Sequence, residues 1–183
     1  MNMSEDGLSL VKGIMSTATK MAYLLNSDKE YAEEAVERFS QLLEEHIDEV
    51  GEDDFIDSHH EGYLGYSLAT FIDEASLGNS FMVDWKDTES ALDWLDSALE
   101  NEDVSIDLQY DVDDPISELD AHQIFVRSNL QLSAIGYSLL GLDTGDDCYR
   151  EILLPSESVD RFIQLAAEMG VEITMNDVEE DLS

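Results

Sequence analysis

Basic residues are scarce in this chain. Eight Lys and Arg stand against 44 Asp and Glu, for a net charge of −36 at pH 7. That excludes a nucleic-acid-binding surface of the usual kind, which holds phosphates with clustered cations. Cysteine occurs once, at Cys148, so no internal disulfide can form and a reducing compartment is expected. No stretch approaches the ~18 apolar residues of a membrane span. The first residues have neither the basic n-region nor the apolar h-region of an export signal. A soluble, cytoplasmic protein without membrane contact follows as the expectation. Glycine-rich phosphate loops are absent, as are internal repeats and linkers rich in Pro, Gly or Ser.

What is present is enough apolar material for a core. Hydrophobic residues make up 43% of 183 positions, which argues against disorder despite the charge. One domain over residues 1–183 is expected, burying roughly 70% of the unfolded surface without metal or disulfide staples. Within it, 1–79 reads as helical, 80–175 as mixed and 176–183 as a frayed acidic tail. A folded chain of this size exposes about 8,900 Å², or one net charge per ~250 Å². Duplex DNA carries one per roughly 110 Å² of a cylinder of about 10 Å radius. The acids also crowd in sequence. From Phe39 to Val126 the only basic residue is Lys86, among 25 acids, and after Arg161 there is none. Repulsion of this kind opposes compaction, so a chain that keeps it has a use for it.

The spacing predicts a helix over 4–25, with Leu8, Val11, Ile14, Met15, Ala18, Met21, Ala22 and Leu25 inward and Ser4 or Asp6 as cap. A second, over 28–50, buries Tyr31, Ala35, Phe39, Leu42, Leu43, Ile47 and Val50 and puts its acids outside. Asp48 and Glu49 lie at its C-terminal end, where the helix dipole disfavours them. Gly51 ends it, and residues 52–61 read as an acidic loop. A helix over 63–75 follows, broken at Gly78-Asn79. Phe81 to Val83 is either a short strand or the lead-in to Trp85. Thr88 starts a helix through Leu99 that offers Leu92, Trp94, Leu95 and Leu99 to the core. Ile106, Leu108 and Tyr110 alternate like an edge strand. Ser117 is expected to cap a helix carrying Leu119 to Ile135. Two apolar runs, 136–142 and 148–154, flank Asp143-Thr-Gly-Asp-Asp147 as a β-hairpin. Pro155 ends it, Ser156 or Ser158 caps a helix stopped at Gly170, and 171–175 is a last strand. The fold class is α+β: an N-terminal helical layer on a small sheet, with a C-terminal β-β-α-β unit.

The string Val83-Asp-Trp-Lys-Asp87 before a helix, and the hairpin Leu142 to Tyr149 leading to Leu153-Leu-Pro155, resemble a bacterial family, DUF6630. Its members share an Asp-Trp-Lys segment and a strand-turn-strand of pattern Asp-x-x-Ser-Asp-x-Tyr. The likeness covers about residues 80–175, the N-terminal helices matching only in character, and this chain has Asp146 where the pattern has Ser. The resemblance implies the fold and no reaction.

Four groups merit a chemical reading. Asp143, Asp146 and Asp147 around Gly145 offer oxygen ligands to a hard cation, but lack the alternating Asp positions and distal Glu of a calcium loop, which favours a solvated turn. Asp48, Asp57, His59, His60 and Glu61 are of metal-ligand type, yet adjacent histidines on one loop rarely face one ion. Cys148 with His122 resembles a nucleophile and base, yet acidic neighbours in an apolar strand work against a thiolate. Lys86 is read as an ion-pair partner with its stem over Trp85. No cofactor, metal centre or catalytic group is expected, and an enzyme is not.

The reading that uses the charge is an interaction protein that binds and blocks a basic partner, as an immunity protein or inhibitor of a nuclease toxin or DNA-binding protein, by nucleic-acid mimicry. The expected contacts are Asp48, Glu49, Glu52, Asp53, Asp54 and Asp57, then Asp111, Asp113 and Asp114, with Asp143, Asp146 and Asp147 as a second patch. The alternative is a soluble acidic protein with a divalent-metal or calcium site. Adaptation to a salty cytoplasm is a further rival.

Overall fold

The computed structural model describes residues 3–26, 28–60, 65–84, 86–110, 119–142 and 148–175. They divide into two compact units, the first made of residues 1–76 with 160–172, the second of 77–159 with 173–183.

The first unit is helical. Helix α1 (Glu5–Leu25) starts where the Ser4 hydroxyl accepts from the Gly7 N–H at 3.1 Å, and α2 (Lys29–Val50) starts where Asp28 accepts from the Glu30 and Tyr31 N–H groups. Each cap satisfies amide donors that the first turn leaves open. The short connection makes an antiparallel helical hairpin, tied near its turn by the Tyr23 hydroxyl donating to Glu33 at 3.1 Å. Along α2, Ala32, Ala35, Phe39, Leu43 and Ile47 are buried, a three- and four-residue recurrence that lines one face. Phe39 packs on Phe71 of α4 (Gly65–Ala75), ring centres 4.8 Å apart. Tyr31 and Leu8, expected inside, are exposed, because both stand at the margin of their stripes. Helix α7 (Val159–Glu168) lies mainly in this unit, burying Phe162, Leu165 and Ala166.

Residues 52–60 form a helix, α3 (Glu52–His60), and not the loop expected there. The Phe55 N–H reaches back to the Gly51 carbonyl at 3.0 Å. Glu52, Asp53 and Asp54 fill the first turn, where the positive end of the helix dipole favours carboxylates, and Phe55 is fully buried. Gly51 has φ +90°, a left-handed corner that a side chain would strain, and so turns the chain from α2 into α3.

The second unit holds an antiparallel sheet of order β1-β3-β2-β4, with β1 Ser80–Asp84, β2 Tyr137–Leu142, β3 Cys148–Pro155 and β4 Ile173–Met175. Residues 80–84 are thus a strand, paired from Ser80 opposite Ile152 to Asp84 opposite Cys148. The hairpin register sets Leu139 opposite Leu153 and Gly141 opposite Glu151. A Cβ at Gly141 would run into Thr174 of β4 and press on Glu151, so glycine lets the neighbouring strands keep those side chains. Helix α5 (Thr88–Asn101) is capped by Asp87, and α6 (Ala121–Ser133) by Asp120 with Gln123 reciprocating in a capping box. The cap expected at Ser117, outside the described residues, is therefore supplied at Asp120. Phe81, Val83, Leu95, Leu99, Phe125, Leu139 and Leu153 share one buried cluster. Trp94, expected to join it, is 52% exposed, and Leu130 and Ile135 are also exposed.

Residues 104–110 alternate between half-buried and exposed as an edge strand would, but form no strand. The Gln131 side chain from α6 accepts from the Gln109 N–H at 2.8 Å and donates to its carbonyl at 2.9 Å. One amide group thus takes the place of a neighbouring strand.

Candidate interaction surface

The α2–α3 corner gathers the first group of expected contacts. Asp48 and Glu49 end α2, Asp53, Asp54 and Asp57 follow on α3, and all five are exposed. Glu44 and Asp48, Glu45 and Glu49, and Asp53 and Asp57 are like-charged pairs one turn apart, a spacing that costs helices a few tenths of a kcal/mol each. Glu52 differs from its neighbours. Its carboxylate accepts from the Ser4 N–H at 2.9 and 3.2 Å and from the Ser4 hydroxyl. A Cβ at Gly7 would collide with that carboxylate as it stands. Glu52 thereby draws the start of α1, with exposed Glu5 and Asp6, to the start of α3. Asp111, Asp113, Asp114, Asp143, Asp146 and Asp147 lie outside the described residues.

Beside this corner runs a groove of about 280 Å³ between α1 and α2. Leu8 and Val11 from one helix and Leu43 and Ile47 from the other give it an apolar lining, Met3 and Ser40 complete it, and Glu44 and Asp48 bring carboxylates to it. Leu8 is 45% exposed. Sequence reasoning put Leu8 and Val11 in the core and missed Glu44; the signal was their place at the edge of an apolar stripe wider than one partner helix covers. A second cavity of about 490 Å³ lies on the other side of α1, lined by Asp6, Ser9, Leu10, Gly13, Ile14, Ile56 and Glu168, with Glu168 accepting from Thr17 at 3.1 Å.

Other acids cluster on α5. Asp96 is exposed as a residue, yet partial desolvation raises its carboxyl above the ordinary range, and the charges of Asp93 and Glu100 add to that. Asp87 moves the opposite way, held low by the Ser90 hydroxyl and then the Ser90 N–H. Among the described residues no group of three or more His, Cys, Asp or Glu is placed to hold a metal ion. The side chains of His59, His60 and Glu61 and the turn 143–147 lie outside that description. His122 stacks on Tyr149 with ring centres 5.8 Å apart; the half-buried Cys148 precedes Tyr149 in β3, where successive side chains point to opposite faces. Lys86 is exposed, its N–H donating to Asp84 at 2.9 Å, while Trp85 lies outside the described residues. No helix among the described residues is long and apolar enough to cross a membrane.

A family model described as a domain of unknown function (DUF6630) matches residues 17–176. The match takes in α2, α3 and α4 as well as the sheet, and so reaches well beyond the segment from 80 onward that carried the resemblance in sequence. No curated protein and no solved structure matches the chain.

Proposed function

The chain belongs to the DUF6630 family, a domain of unknown function, and since that membership brings no reaction with it, we propose a function from the charge: binding and blocking a basic protein. The observation that carries the reading is the net charge of −36 together with the run of exposed carboxylates at the α2–α3 corner. A partner whose Lys and Arg normally hold phosphates would find carboxylates in their place, and its nucleic acid would be excluded. The partner class is a nuclease toxin or a DNA-binding protein, which makes this chain an immunity protein, an inhibitor or a duplex mimic. Opposite fields also speed encounter, to ~10⁸–10⁹ M⁻¹s⁻¹ at low salt, a useful property where the partner must be caught before it acts.

The test is capture at low ionic strength, followed by competition. A basic nucleic-acid-binding protein should be enriched, released by added duplex DNA, and bound with an affinity that falls steeply with salt. Capture of no such protein, or a complex indifferent to both DNA and salt, removes the reading.

A further inference from the structure

Carboxylates alone would suffice to imitate phosphates, so a groove at their edge that leaves Leu8 exposed and Val11 half-buried calls for its own occupant. We propose that the α1–α2 groove receives one face of an amphipathic basic helix of the partner, its apolar side chains against exposed Leu8 and half-buried Val11 over a floor of buried Leu43 and Ile47, and its flanking Lys or Arg against Glu44 and Asp48. The inference rests on the basic-partner reading and specifies where and by what chemistry the partner is held.

Three observations carry it. The α2 side of the groove is a row at Ser40, Leu43, Glu44, Ile47 and Asp48, an interval pattern of three, four, seven and eight residues that spans about 12 Å at 1.5 Å per residue. A helix laid alongside meets this row at the same recurrence, with buried Leu43 and Ile47 as the floor and exposed Glu44 and Asp48 as the rim, the usual geometry of helix-in-groove recognition. Leu8 is 45% exposed although it belongs to the apolar stripe of α1, so a partner side chain set against it removes apolar surface from water. The acids settle the sign of the flanks: Glu44 and Asp48 line the groove, and Glu45 and Glu49 stand exposed beside them in α2. An acidic or phosphorylated helix would be repelled, and an uncharged one would leave the carboxylates without counterparts. Lys12 is the nearby exception, exposed one turn after Leu8.

The experiment titrates the full chain into three labelled helical peptides of about 18 residues, five turns. One is basic with a Leu stripe, one basic with the stripe replaced by Ser, and one acidic with the stripe retained. Binding is read at low salt and at about 0.15 M, where exposed charges are screened beyond ~8 Å. The basic Leu-stripe peptide should bind at least tenfold tighter than either other. Leu8→Ser, at an exposed position, should weaken it about tenfold while leaving the Ser-stripe peptide unchanged, and Lys12→Glu should tighten it. Amide exchange should show protection confined to 3–12 and 40–49. If both basic peptides bind equally and Leu8→Ser changes neither, the groove is overturned while the acidic-binder reading stands. If the acidic peptide binds as well as the basic one, the charge argument for both falls.

Discussion

Ser4 and Glu52, forty-eight positions apart, meet through a backbone N–H to carboxylate hydrogen bond of 2.9 Å. The same serine caps α1 by accepting from Gly7, so one residue both starts its own helix and fastens it to the start of α3. Glu52→Ala should therefore cost about 1–2 kcal/mol, the range for a charge-assisted hydrogen bond near the surface. Asp53→Ala, one residue on and exposed, should cost clearly less, since the few tenths of a kcal/mol it loses at the positive end of the α3 dipole are offset by lightening a repulsive surface. Urea melts of the two variants test the contrast. Equal effects would mean that Glu52 is merely one more surface acid.

Two glycines should respond oppositely to alanine. Gly13 sits inside α1 with nothing within 4 Å of where a Cβ would stand, so Gly13→Ala should stabilise by about 0.5–1 kcal/mol through helix propensity. Gly78 has φ +92° and Asn101 pressed against its Cβ position. Gly78→Ala should destabilise by at least about 1 kcal/mol. Thermal melts decide both signs.

The same local chemistry explains which parts of the fold could be read from the residues. Helix α2 was legible because Asp28 caps it and its apolar positions recur with helical period. Helix α3 was not, because four acids in nine residues read as a solvated loop until the dipole at its start and the burial of Phe55 are weighed together. The stretch 104–110 has the alternation of a strand, but alternation reports only that one side is more buried than the other; Gln131 supplies the hydrogen bonds that a neighbouring strand would. Trp94 was placed inside on hydrophobicity alone, whereas Ala91, Leu95, Ala98 and Leu99 already fill that face of α5. In the candidate site, the acids were visible as acids, while the groove was not, since its lining comes from two helices brought together by packing.

Stability should rise as the solution is made mildly acidic, and Asp96 should carry a measurable part of the rise. Its carboxyl, exposed but partly desolvated, is raised by that desolvation and then by Asp93 and Glu100, so the folded chain holds this proton more tightly than the unfolded one. The contribution is full below the unfolded-state value, about 3.9 for Asp, and is lost as pH rises through the higher folded value. Asp87, lowered by Ser90, runs the other way: its contribution is present above the unfolded value and lost as pH falls through the folded one. Between pH 7 and about 4.5, the melting temperature of the parent should climb. Asp96→Asn should start higher at pH 7 and climb less. A steeper climb in the variant would reverse the sign assigned to Asp96.

Asp48 and Glu49 offer a case in which function and stability should part company. Both sit in the last turn of α2, which holds no basic residue, and there the partial negative charge of the helix end meets two further carboxylates. Replacing each by its amide, Asp48→Asn and Glu49→Gln, should gain about 0.3–1 kcal/mol apiece at low salt, with the gain shrinking as salt screens the field. If these acids serve a basic partner, the same double variant should bind that partner at least tenfold more weakly at low salt, and chiefly through slower association, because steering acts before contact. A protein that becomes more stable while capturing its partner more slowly has been keeping charge for use. Should the variant gain stability and lose nothing in association rate, the corner is not where the partner arrives.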